Sequence, residues 1–153
     1  MNRKTILATL AGFCVGVAIC LAADANMGTW KLNEAKSKYA PGSPVNHTVV
    51  YGAAGDSVKV IVDGISDGKP VHNEWTGKYD GKDYPVTGDP NYDSRSYTRV
   101  DEHTVTLNTK KAGKVMTTGK IVVAPDGKSR TLTTTTTDAA GKKTINTFVY
   151  DKQ

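Results

Sequence analysis

From residue 28 onward, apolar residues alternate with polar ones in short runs, and glycine-bearing turns interrupt the runs at near-regular intervals. Val58, Val60 and Val62 share one parity, with Lys59 and Asp63 on the other. Successive side chains of a strand point to opposite faces, so this period of two predicts half-buried β-strands. The interruptions are Ala53-Ala54-Gly55-Asp56, Ser66-Asp67-Gly68-Lys69, Asp80-Gly81-Lys82, Ala112-Gly113, Pro125-Asp126-Gly127-Lys128 and Ala139-Ala140-Gly141-Lys142. Their Asp-Gly and Gly-Lys pairs supply the positive φ angles of tight hairpins. Ten strands follow, over 28–33, 46–52, 57–63, 70–79, 83–87, 94–101, 103–110, 114–124, 129–137 and 143–150. Strands so spaced predict an antiparallel meander, sandwich or barrel. Helical periodicity is absent from every window of useful length, and Asn33 to Ser37 make at most one turn.

The faces follow from the same alternation. In 70–79, Val71, Asn73, Trp75, Gly77 and Tyr79 share a face, opposite His72, Glu74, Thr76 and Lys78. Strand 114–124 carries apolar residues on both faces (Val115, Ile121 and Val123 against Met116 and Val122), with Gly119 expected as a bulge. Val105 and Leu107 are the apolar positions of 103–110. Inward apolar side chains are few, which suits a small closed barrel, and closure also removes exposed strand edges. The expected fold is all-β: one antiparallel meander barrel of about eight to ten strands.

The first 25 residues depart from this pattern. Arg3 and Lys4 precede an uncharged stretch from Ile6 to Ala23, and Ala23-Asp24-Ala25 offers small residues to a signal peptidase. Residues 1–25 therefore read as a cleaved signal peptide, cut after Ala25 or else after Ala23, with one domain over 26–153. The expected location is periplasmic or secreted, with no membrane span in the mature chain. Both cysteines, Cys14 and Cys20, lie in the leader, so the mature domain has neither a disulfide nor a thiolate.

Composition sharpens the picture of the core. Leu, Ile, Val and Phe supply only 22 of the residues in 26–153, and 14 of these are valine; 18 threonines accompany them. So few large aliphatics leave a ten-strand core hard to fill, which points to a cavity. The domain carries 18 basic and 14 acidic residues, net +4, with its fifteen lysines scattered. Dispersed lysine protects strand edges and keeps the surface soluble, so no nucleic-acid partner is expected. The chain reads as a monomer.

Gly28-Thr29-Trp30-Lys31-Leu32 opens the first strand. This G-x-W start resembles that of lipocalins and fatty-acid-binding proteins, and the resemblance implies a calycin-type barrel whose indole plugs the closed end. The Gly28-Thr29-Trp30-Lys31-Leu32-Asn33 start also resembles a group of uncharacterised exported bacterial proteins, as do Tyr79-Asp80-Gly81-Lys82-Asp83-Tyr84-Pro85-Val86 and the ending Val149-Tyr150-Asp151-Lys152-Gln153. That likeness implies no activity. Fatty-acid-binding proteins carry Arg-x-Tyr in the last strand, where this chain has Phe148-Val149-Tyr150. Residues 34–46, with Pro41, Gly42 and Pro44, do not form the two-helix lid of that family.

Candidate chemistry is sparse. His47, His72 and His103 lie in separate strands or turns, and His72-x-Glu74 is the one pair on a shared face; no metal site is read from them. Asp80, Asp83, Asp89 and Asp93 fall among glycines and prolines, where aspartate caps turns; paired carboxylates of a hydrolase are the other reading. No nucleophile motif surrounds any serine, so no catalytic residue or cofactor is named. The threonine run 131–137 reads as β-propensity with cross-strand hydroxyl pairing.

Arg95, Tyr97 and Arg99 share one face of 94–101. Facing inward they would grip an anion; facing outward they would leave Ser96, Thr98 and Val100 inside. Trp30, Trp75, Tyr79, Tyr97 and Arg99 are the expected ligand-lining residues. The expected function is non-catalytic binding of a small hydrophobic or carboxylate ligand within the barrel. The alternative is a structural or interaction module of the cell envelope, with a filled barrel and no small ligand.

Overall fold

The computed structural model describes residues 24–153. The expected leader therefore lies outside the described residues, apart from Asp24 and Ala25. Ten strands form: β1 (Gly28–Leu32), β2 (Val45–Ala54), β3 (Ser57–Ser66), β4 (Lys69–Gly77), β5 (Tyr84–Thr87), β6 (Ser94–Arg99), β7 (Thr104–Lys111), β8 (Lys114–Val123), β9 (Ser129–Thr137) and β10 (Lys143–Lys152). Each pairs antiparallel with the next, and β1 pairs with β10 to close the barrel. All ten expected strands are present, and Asn33 caps the single turn of 3-10 helix at Glu34–Lys36.

Tight turns set the register. Asp67 and Gly68 take φ of 51° and 72° between β3 and β4, the two left-handed residues of a type I′ hairpin. Ala112 and Gly113 do the same between β7 and β8, at 48° and 78°. An alanine seldom takes this conformation; its amide is held by the Asp93 carboxylate at 2.8 Å, which ties this turn to the β5–β6 loop.

The expected bulge moves. The register of β7 and β8 shifts between Thr109 and Lys110, which face Thr117 and Val115, so Met116 is the extra residue. Gly119 stays in regular pairing opposite Leu107. Its missing side chain gives Leu107 room, since a Cβ there would stand 3.0 Å from Leu107 Cγ.

Because every connection reverses direction, the loops gather at two ends. One end holds residues 24–27 and the turns after β2, β4, β6 and β8; the other holds the β1–β2 segment and the turns after β3, β5, β7 and β9. The first end is filled. Trp30 and Trp75 are fully buried there with Val58, Val60, Val105 and Val123. Trp30 Nε1 donates to the Asn26 carbonyl at 2.7 Å, so the N-terminal segment is pinned across the base. The second end is open.

Candidate functional site

Between the aromatic base and the open end lies a cavity of about 290 Å³. At about 30 Å³ per water this is room for roughly ten waters, near the lower limit of small-molecule pockets. Its apolar lining comes from most of the barrel: Val49, Val62, Val71, Leu107, Ile121, Leu132 and Phe148. Nearer the open end, Thr109, Thr117, Thr134 and Thr136 of β7, β8 and β9 add hydroxyl-bearing side chains to it. Pro44, Asp89, Asn91 and Tyr92 come from the open-end loops and form the mouth.

Two arginines stand inside. Residues 26–153 contain three arginines and fifteen lysines, and no lysine among them is buried, whereas Arg95 and Arg130 are 4% and 2% exposed. Both line the cavity. Local pattern explains each placement. Arg95 shares its face of β6 with buried Tyr97, whose ring packs edge-on against Trp75 at 4.8 Å. Arg130 shares its face of β9 with Leu132, and its register partners Val123 and Tyr150 both point inward.

The two guanidiniums differ in their partners. Arg95 Nη2 donates to the Asn73 side-chain carbonyl at 3.2 Å and to the Tyr92 hydroxyl at 3.0 Å, and Nη1 donates to the Tyr97 hydroxyl at 3.5 Å. Burial opposes its charge, while the phenol oxygens of Tyr97, Tyr92 and Tyr51 hold it, and its pKa lies above the ordinary arginine value. Arg130 sits among three rings: its guanidinium carbon is 4.8 Å from the Trp30 and Tyr51 centroids and 5.0 Å from that of Tyr150. Its Nε and Nη1 are buried and find no acceptor among the described residues. Neither arginine forms an ion pair with a carboxylate among the described residues; the seven salt bridges there all involve other residues.

Tyrosine hydroxyls link the two. Tyr51 and Tyr97 oxygens lie 3.4 Å apart and share a hydrogen bond between the arginines. Burial pushes the Tyr97 phenol well above its ordinary pKa, and burial likewise raises Tyr150, so both stay neutral and supply no negative charge. The cavity interior thus holds two cations, the phenols of Tyr51, Tyr97 and Tyr150 and hydrocarbon, and Asp89 at the mouth is the one carboxylate in its lining.

Of the residues expected to line a ligand, Tyr97 is on the cavity wall. Trp30 and Trp75 point inward as packed base: Trp30 underlies Arg130, and Trp75 Nε1 donates to the Arg95 carbonyl at 2.9 Å. Tyr79 and Arg99 meet at the filled end, where the Arg99 guanidinium covers the Tyr79 ring at 4.5 Å and pairs with Asp24 at 2.8 Å. Arg95 and Tyr97 point into the barrel, and Thr98 and Val100 are exposed.

The other polar candidates sit in turns and on the outer face. Asp80 and Asp89 each accept the amide two residues on, from Lys82 and Asn91, as turn caps do. Asp83 pairs with Lys110 at 2.6 Å. His72 lies 2.7 Å from Asp63 and 3.7 Å from Glu74, which also pairs with Lys59 at 2.8 Å, a charged ladder on the solvent side of β3 and β4.

Arg130 escaped the sequence reading because threonines blur the alternation of β9. Leu132 is its one aliphatic residue, and every second residue from it shares its face, Arg130 among them. Comparison with protein-family models and with curated proteins finds no match.

Proposed function

We propose that this is an exported, lipocalin-like binding protein, periplasmic or secreted and monomeric, that holds a small, partly apolar anion in its barrel without transforming it. The unpartnered guanidinium of Arg130 carries the reading. A charge taken out of water costs several kcal/mol unless it is paired and hydrogen-bonded. Three aromatic faces return part of that, at about 2 kcal/mol for a desolvated contact, but none accepts an N–H bond in the guanidinium plane. A carboxylate in the cavity accepts those bonds and neutralises the charge, while its hydrocarbon meets the apolar lining.

Arg95 adds positive potential beside the Tyr51–Tyr97 pair. A dry interior strengthens the attraction of both arginines for an anion relative to water. The cavity also weighs against the alternative of a filled structural barrel, since that reading needs no unoccupied space beside two buried cations.

Titration with a panel of fatty and aromatic acids, followed by tryptophan fluorescence and melting temperature, tests the reading. Acids of up to about a dozen non-hydrogen atoms should bind and raise the melting temperature with concentration. Their uncharged amides should bind at least tenfold more weakly, and Arg130→Met should erase the difference. A melting temperature that no acid moves would reject an anion-binding barrel.

A further inference from the structure

We propose, resting on the export reading above, that the leader is cut at the Ala23–Asp24 bond, so that Asp24 opens the mature chain and latches the filled end of the barrel. Leader residues depart with the leader, so a residue that holds the folded base belongs to the mature protein. Asp24 holds it through three groups. Its Oδ2 pairs with Arg99 Nη2 at 2.8 Å, its Oδ1 accepts the Asn26 amide at 3.0 Å, and its backbone carbonyl accepts the Met27 amide at 2.9 Å. Ala25 and Met27, which this turn positions, pack against the buried core.

A signal peptidase acts on the unfolded chain and finds alanine before either bond. The two products differ in the base they can keep. Asn26 is fully buried, and its carbonyl accepts Trp30 Nε1 at 2.7 Å, which fixes it against the base. A cut after Ala25 turns the Asn26 nitrogen into an ammonium ion and removes Asp24, its acceptor. A charge held out of water without a partner is costly, so that start must bear the cost or pull away from Trp30. Arg99 also loses its carboxylate, the only one it pairs with among the described residues. A cut after Ala23 puts the ammonium on Asp24 itself, outside these contacts, and keeps the carboxylate, the turn and the Trp30 bond.

The full 153-residue chain, produced in a bacterium with working export machinery and recovered from its periplasm, gives the test by intact mass. The expected mass is that of a chain beginning at Asp24. Any other start, Asn26 above all, overturns the inference and leaves export standing. A chain that stays uncut, or never reaches the periplasm, removes the export reading and this one together. Asp24→Asn, made in the same full chain, tests the latch itself. The exported variant should melt about 1–4 °C below the unaltered protein, the scale of one partly exposed ion pair. In an Arg99→Met background the same substitution should have much less effect, because its partner is gone. No fall in melting temperature, or an equal fall with and without Arg99, overturns the latch.

Discussion

The two halves of the barrel interior put aromatic residues to opposite uses. At the filled end Trp30, Trp75 and Tyr79 occupy space, and Arg99 keeps its head at the surface there, against Asp24. Directly above that base, Tyr51, Tyr92 and Tyr97 surround arginines that are buried and lack carboxylate partners, beside empty volume. The first arrangement is what stability alone favours. The second sacrifices stability at Arg130, so it needs a reason outside the fold, and an incoming anion supplies one.

The largest effect expected from this contrast is at Trp30. Trp30→Ala opens a void in the filled end and uncovers Arg130, at a cost of about 3–5 kcal/mol, a large part of the 5–15 kcal/mol that holds a domain together. Urea denaturation should show this as a midpoint shift with little change in slope.

Enlarging a side chain separates the halves more directly. At Gly77 a Cβ would stand 2.6 Å from both the Trp75 and the Tyr84 rings, so Gly77→Ala should cost about 1–3 kcal/mol through overpacking. Thr134→Leu adds more volume, but into the cavity, and should change stability by less than about 1 kcal/mol while abolishing acid binding. Equal losses from the two changes would mean that the mouth half is as tightly packed as the base.

The arginines sharpen the same contrast. Arg130→Met trades a buried, unpartnered charge for hydrocarbon of similar length, so the ligand-free protein should keep its stability or gain about 1–3 kcal/mol. Its three ring contacts offset the desolvation only in part. Arg99→Met removes a half-exposed ion pair and a ring contact, and should cost under about 1 kcal/mol. A marked destabilisation by Arg130→Met would make that residue a structural one.

The smallest expected effect lies outside the barrel. The hydrogen bond to Asp63, helped by Glu74, raises the His72 pKa above 6.5. Protonated His72 therefore favours the folded state, with the full contribution present below pH of about 6.5 and lost as pH rises through the higher folded value. A slight fall in melting temperature over that window, absent in His72→Ala, is the expected signature. The effect is small because His72, Asp63 and Glu74 all face solvent.

How much of this was legible in the sequence divides along physical lines. Strands were legible because valine alternation and Asp-Gly turns are local signals, each readable within about ten residues. A thin supply of large aliphatics pointed to empty interior volume, and a cavity is present. The direction of the β6 face was not legible, because Arg95, Tyr97 and Arg99 oppose Ser96, Thr98 and Val100 with no clear hydrophobic bias on either side. The two ends of one face also meet different surroundings: Arg95 reaches the interior, while Arg99, four residues on, reaches the N-terminal segment. Such a difference depends on where the barrel stops, which no single strand encodes.

The bulge at Met116 was hidden for a similar reason. Glycine within a strand suggests a kink, yet Gly119 makes room for Leu107, and the register slips nearer the hairpin.

The joint at β5 has a consequence for how the cylinder breathes. This strand meets β4 only at Glu74–Thr87 and Trp75–Val86, and β6 only at Tyr84–Arg95 and Pro85–Ser94, whereas β3 meets β4 along nearly its whole length. Pro85 also lacks an amide hydrogen to give. A ring of strands opens first at its shortest joint, so amide hydrogen exchange should be fastest there among the barrel strands, by sub-global opening well below the global unfolding free energy. Once that joint parts, the cylinder becomes a curled sheet, and Arg95, at the parted edge, is the first of the two buried arginines to meet water.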